Sequence, residues 1–132
     1  MIDYSNEIFN AVAQHLRLLY SGIRVVGEYV NSPTRFPCVT IDEIENYPEH
    51  LDSARVNKYA RIVYRVQVFS NLENGKRAQA REIYGAVDAK LQELGLFAKT
   101  YTSTPAVYNS EIYSITATYE AVIDLNGVIY RG

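Results

Sequence analysis

Four carboxylates fall within one short stretch: Asp42, Glu43, Glu45 and Glu49. Carboxylates this close can exchange a proton with a substrate or hold a divalent cation. Strand alternation would send Asp42 and Glu43 to opposite faces, however, and the spacing and glycine of an EF-hand loop are absent, so a solvated or interface-lining run is the better reading. Arg61, Arg65 and Gln67 recur at strand spacing on one face. They can pair with acidic groups on a neighbour or simply form a wet sheet face. His15 sits at the edge of an apolar helical stripe, where packing or a hydrogen bond accounts for it, and His50 lies alone in a polar segment.

Motifs of established chemistry are missing. Neither histidine belongs to an HExxH pattern, no Gly-x-Ser-x-Gly elbow occurs, and Gly75-Lys76-Arg77 lacks the further glycines and the hydroxyl of a phosphate loop. Asn74 and Gly75 read as a turn and helix entry. Cys38 is the only cysteine, so neither an intrachain disulfide nor a thiolate zinc cluster can form; a small buried apolar side chain in a reducing compartment is expected. No catalytic residue, metal or cofactor is assigned, and enzyme chemistry is not expected.

The elements that would carry these residues are legible from periodicity. Tyr4 to Leu19 places Ile8, Phe9, Val12, Leu16 and Leu19 on one helical stripe, with Asp3 or Ser5 as N-cap and Ser21-Gly22 as the stop. Ile23 to Val30 has strand composition, Asn31 to Pro37 is a proline-punctuated loop, and a second strand runs from Cys38 to about Ile44. Glu45 to Asn57 breaks the pattern and reads as a long hydrophilic loop, of the kind that often carries function. Lys58 to Ser70 is the longest strand, with Ala60, Ile62, Tyr64, Val66 and Val68 toward a core and a mixed face opposite.

From Lys76 to Leu94, residues Ala80, Ile83, Tyr84, Val87, Leu91 and Leu94 fall within a ~100° arc, marking a helix that lies on a sheet and stops at Gly95. Leu96 to Thr104 alternates weakly. Glu111 to Leu125 alternates strongly, and Asn126-Gly127 divides it as a hairpin turn from Val128 to Tyr130. The expected fold is α+β, a mostly antiparallel sheet with two helices packed on one face, forming a single domain over residues 1–132.

Composition narrows the function classes. A chain of 132 residues can bury roughly two thirds of its unfolded surface without a metal or disulfide. Its formal net charge of −2 argues against gripping nucleic acid through phosphates. No apolar run approaches the ~18 residues that span a bilayer, and the N-terminal MIDYSNEIF has no signal-peptide character. Twelve tyrosines and no tryptophan make up an unusual aromatic set. Several tyrosines fall on core stripes, whereas Tyr29, Tyr47, Tyr59, Tyr101 and Tyr108 lie toward strand ends or loops, where such rings suit a protein interface.

The run YRVQVFSNLENGKRAQAREIYGAVDAKLQELGLF, followed by SEIYSITATYEAVID, resembles the tail terminators of tailed bacteriophages, also called tail completion or head-tail joining proteins of the neck. The matching features are the strand end Val66 to Asn71, the helix close Leu94 to Phe97, and the late strand Tyr119 to Asp124, within about the last two thirds of the chain. This resemblance implies a structural virion protein, assembled in the host cytoplasm, that forms a hexameric ring on the tail tube. Such a ring would stop tube polymerisation and dock the head connector. The implied partners are copies of itself, tail tube protein, head connector protein, sheath protein in a contractile tail, and DNA that passes through the lumen without sequence-specific binding. No membrane is implied.

Asp42, Glu43, Glu45, Tyr47, Glu49, Arg55, Tyr59, Arg61, Arg65 and Gln67 are the candidate interface, with the acidic stretch from Asp42 to Glu49 facing the lumen. Two other readings remain open: a head-tail connector or neck adaptor, and a small α+β ligand-binding module whose tyrosines line a pocket.

Overall fold

A computed structural model describes residues 5–28, 33, 35–49, 59–106, 109–124 and 129–130. The element order is α1 (Ser5–Leu19), β1 (Arg24–Val26), β2 (Cys38–Glu49), β3 (Tyr59–Ser70), α2 (Lys76–Leu94), β4 (Phe97–Ala106), β5 (Asn109–Asp124) and β6 (Ile129–Tyr130). This is the α+β succession expected from periodicity. The strands form one six-stranded sheet in the order β1-β2-β3-β5-β4, with β6 paired to β5. All pairs are antiparallel except β1 with β2.

Both helices bury their apolar stripes on the same side of the sheet. Ile8, Val12, Ala13 and Leu16 of α1 and Ala80, Ile83, Val87 and Leu91 of α2 join Val39, Ile41, alternate residues of β3 and the inward residues of β5 in one core. Leu19, expected on the α1 stripe, is instead exposed, because α1 ends there; Tyr20, the next residue, packs on the core in its place. Of the two expected caps, Asp3 lies outside the described residues and Ser5 is already helical.

The α2 stop is built as the sequence implies. Gly95 takes φ +100°, its N–H donates to the Gln92 carbonyl at 3.0 Å, and the Leu96 N–H donates to the Leu91 carbonyl at 2.9 Å. This reciprocal pair satisfies carbonyls that a helix end leaves open, while Leu96 is buried beneath it.

The bounds of the first two strands differ from the sequence expectation. The first strand stops at Val26 because the chain bends at Gly27-Glu28, so it does not reach Val30. The second strand does not stop near Ile44. It continues to Glu49, so Glu45 to Glu49 belongs to the sheet and not to a long loop. A β-bulge between Glu43 and Glu45 explains the misreading. One extra residue reverses the parity of everything after it, so an alternation counted from Cys38 fails although the strand goes on. The face of β3 expected to be mixed is also drier than composition implies: Val63, Gln67 and Phe69 are buried, and only Arg61 and Arg65 are half exposed. Phe69 joins Cys38 and Ile112 in a second small cluster, against which Val26 and Phe36 pack.

Candidate functional site

Beside the Cys38–Phe69–Ile112 cluster, the sheet face turned away from the helices carries a polar lattice. Cross-strand register sets Asp42 beside Arg65, Arg65 beside Thr118, and Thr118 beside Thr100. The Arg65 guanidinium donates twice to Asp42, at 2.7 Å from Nη2 to Oδ2 and 3.4 Å from Nε to Oδ1. Arg61 Nη1 lies 3.1 Å from Glu120 Oε1 and Lys99 Nζ lies 3.4 Å from Glu120 Oε2, so one carboxylate of β5 joins cations from the strands on either side. In the Asp42–Arg65 row the Thr100 and Thr118 hydroxyls are hydrogen-bonded at 2.7 Å, and in the next row on that face Thr40 Oγ1 donates to Gln67 Oε1 at 2.8 Å, with both residues buried.

Within the chain, Arg61, Arg65 and Gln67 each pair with a side chain of a neighbouring strand. Each half-exposed ion pair contributes about 1 kcal/mol or less.

The remaining candidates divide between the two faces. Glu43 points to the helix side, where its Oε1 accepts from the Tyr64 hydroxyl at 3.3 Å and from Asn46 Nδ2 at 3.5 Å. Glu45 is exposed and stands opposite Val63. The backbones of Tyr47, Glu49 and Tyr59 run in β2 and β3, with Glu49 opposite Tyr59. Arg55, His50, Tyr29 and Tyr108 lie outside the described residues.

An open groove of about 720 Å³ runs between the start of α1 and the β1–β2 border, lined in part by Phe9, Arg24, Glu28, Ile41, Asp42, Glu43 and Tyr64. Its two β2 carboxylates are engaged with Arg65 and Tyr64, and among the described residues its lining includes no serine, cysteine or histidine. Among the described residues, no group of three or more His, Cys, Asp or Glu is placed to hold a metal ion. Burial pushes the Cys38 thiol up, more than nearby Arg24 lowers it, which keeps it protonated and poorly nucleophilic.

Periodicity missed a second polar cluster at the helix–sheet contact. Tyr119 donates to Asp88 Oδ1 at 2.6 Å, the Tyr84 and Tyr119 hydroxyls are 2.5 Å apart, and Gln92 Nε2 donates to Asp88 Oδ2 at 2.7 Å. Burial, then the Asp88 and Tyr84 contacts, push the Tyr119 hydroxyl far above the ordinary tyrosine range. Its single proton therefore goes to Asp88, and Tyr84 donates to Tyr119. The available signal was Asp88 four residues after Tyr84 and four before Gln92, one face of one helix.

Neither cluster has the make-up of a catalytic centre. The family model for tail completion protein gp17 matches residues 7–130, from α1 through β6. The chain belongs to this tail completion family. Membership extends the resemblance beyond the last two thirds of the chain to the first helix and strands. It makes the protein a structural component of the bacteriophage tail and of the virion, one that associates with other tail components, and not a member of an enzyme class. No curated protein matches the chain. No described helix of this family member is long and apolar enough to cross a membrane.

Proposed function

We propose that this tail completion protein is a terminator: a hexameric ring that caps the tail tube, ends its polymerisation and offers the docking surface for the head connector. The observation that carries the reading is the family match over residues 7–130. Two features support it. The sheet face turned away from the helices carries cross-strand ion pairs joining Arg65 to Asp42 and both Arg61 and Lys99 to Glu120, polar surface suited to contact with other molecules. Its net charge of −2 suits a channel wall that lets DNA pass without holding it. The tube protein, the connector and, in a contractile tail, the sheath are the partners this role requires.

The test is to add the purified protein to tail-tube subunits as they polymerise. Capped tubes that stop growing, and a native mass of six subunits at high concentration or on tube ends, are the expected results. Tubes that elongate unchanged in its presence would remove the terminator reading.

A further inference from the structure

The two borders of the sheet are built alike and charged oppositely. Among the described pairings, β1 covers β2 only over Cys38–Thr40, and β4 stands last in the sheet order. Each of these border strands carries a β-bulge, at Ile44 in β2 and at Lys99 in β4. Both bulges interrupt the same level of the sheet, beside the row Glu43–Tyr64–Tyr119–Ala98. At that level each border exposes one large apolar side chain, Ile44 at 40% and Phe97 at 45%. Exposed Glu45 flanks Ile44, whereas Lys99, its side chain 58% exposed, flanks Phe97.

We propose that successive copies of this chain meet border to border, with Ile44 and Glu45 of one against Phe97 and Lys99 of the next. The inference rests on the ring reading above and names the contact that closes it. Charge fixes the orientation. A two-fold contact would set Glu45 against Glu45 or Lys99 against Lys99, at a cost in like-charge repulsion, and the head-to-tail contact sets glutamate against lysine. Head-to-tail contacts generate rings when the rotation closes. Bulges disfavour a continued backbone ladder and twist the border strands, so the contact is made by side chains, and stacking into an open-ended sheet is avoided. Glu45, expected from the sequence to face a lumen, is in this arrangement at the joint between copies.

Cysteine cross-linking tests the contact. The double variant Ile44→Cys/Phe97→Cys, treated with a short bifunctional maleimide, should give a ladder of covalent multimers ending at the ring, while either single variant stays monomeric on a denaturing gel. Buried Cys38 does not interfere. Rings seen by native mass without a ladder would overturn the contact and leave the ring intact. Absence of both, even with tube ends present, would overturn the ring and the contact together. Single variants that cross-link efficiently would show a two-fold contact instead, and the inference would fail.

A charge exchange gives a second, independent arm. Lys99→Glu or Glu45→Lys alone should weaken assembly about tenfold, and the two together should restore it. Since Lys99 also lies 3.4 Å from Glu120, loss in the single variant is less telling than the rescue. Glu45 and Lys99 of one chain are three strand spacings apart, about 14 Å, so rescue must act between copies. Assembly that is not restored in the double variant counts against the contact.

Discussion

Tyr119 has one proton to give, and Asp88 receives it. The pair fixes the middle of α2 to the strand beneath, and replacing Tyr119 with Phe leaves a carboxylate short of a donor at a half-buried site. The expected cost is about 2 kcal/mol, since hydrogen bonds to charged groups exceed neutral ones, and thermal or urea unfolding of Tyr119→Phe measures it. The same residue sets an alkaline limit. Its folded-state pKa is raised above the ordinary value of 10.0, so its contribution is fully present below about pH 10 and is lost above it, as the unfolded tyrosine ionises first. Melting temperature should fall more steeply above that pH in the native chain than in Tyr119→Phe. Tyr84 and Tyr119 were legible as core residues, but Asp88 was not, because an acidic residue on a helix ordinarily reads as solvated. Arg65 and Asp42 were each legible as strand residues, yet their pairing needed the register between β2 and β3.

The bulge at Ile44 is the element that most changes what the chain presents. Pairing resumes at Glu45–Val63, so removing Ile44 keeps every pair on both sides of it. Deleting Ile44 is expected to cost about 1 kcal/mol and to leave the strand content unchanged by circular dichroism, whereas deleting Ile41 shifts the strand by one residue, exchanges its faces and should prevent folding. Gly95→Ala tests the other punctuation mark: a side chain at φ +100° should destabilise the protein by about 1 kcal/mol in the same unfolding assay. Helices and uninterrupted strands were readable because their periods run unbroken over many residues, as in α2 and β5. The extent of β2 was not, since one inserted residue cancels the parity on which a period-two reading depends. The parallel seating of β1 was also out of reach, because a three-residue strand carries no sign of its direction.

For the whole molecule, the family could be read from hydrophobic positions in the later strands and α2, and the match over residues 7–130 extends it to the rest. The candidate interface was less legible. Alternation separates Asp42 from Glu43, and in the fold Glu43 turns toward the helices while Arg61, Arg65 and Gln67 are joined within the opposite face. Which residues remain available to other molecules is a property of pairing between distant segments, and local spacing does not contain it. Because the proposed joint between copies sets glutamate against lysine, self-association should weaken as salt rises from 0.05 to 0.5 M (about a threefold shorter screening length), a trend that sedimentation at fixed protein concentration would register.

The middle of the sheet is made by β3 and β5, with all of α2 and β4 lying between them in the chain. During synthesis, then, β2 and β3 leave the ribosome well before the strand that completes them. For that interval the β3 flank that later receives β5 is bare, with Ile62, Tyr64, Val66 and Val68 uncovered beside it. Nascent subunits are most open to wrong pairing with one another at this stage, and a truncation ending before Asn109 should collect in inclusion bodies while the complete chain stays in solution.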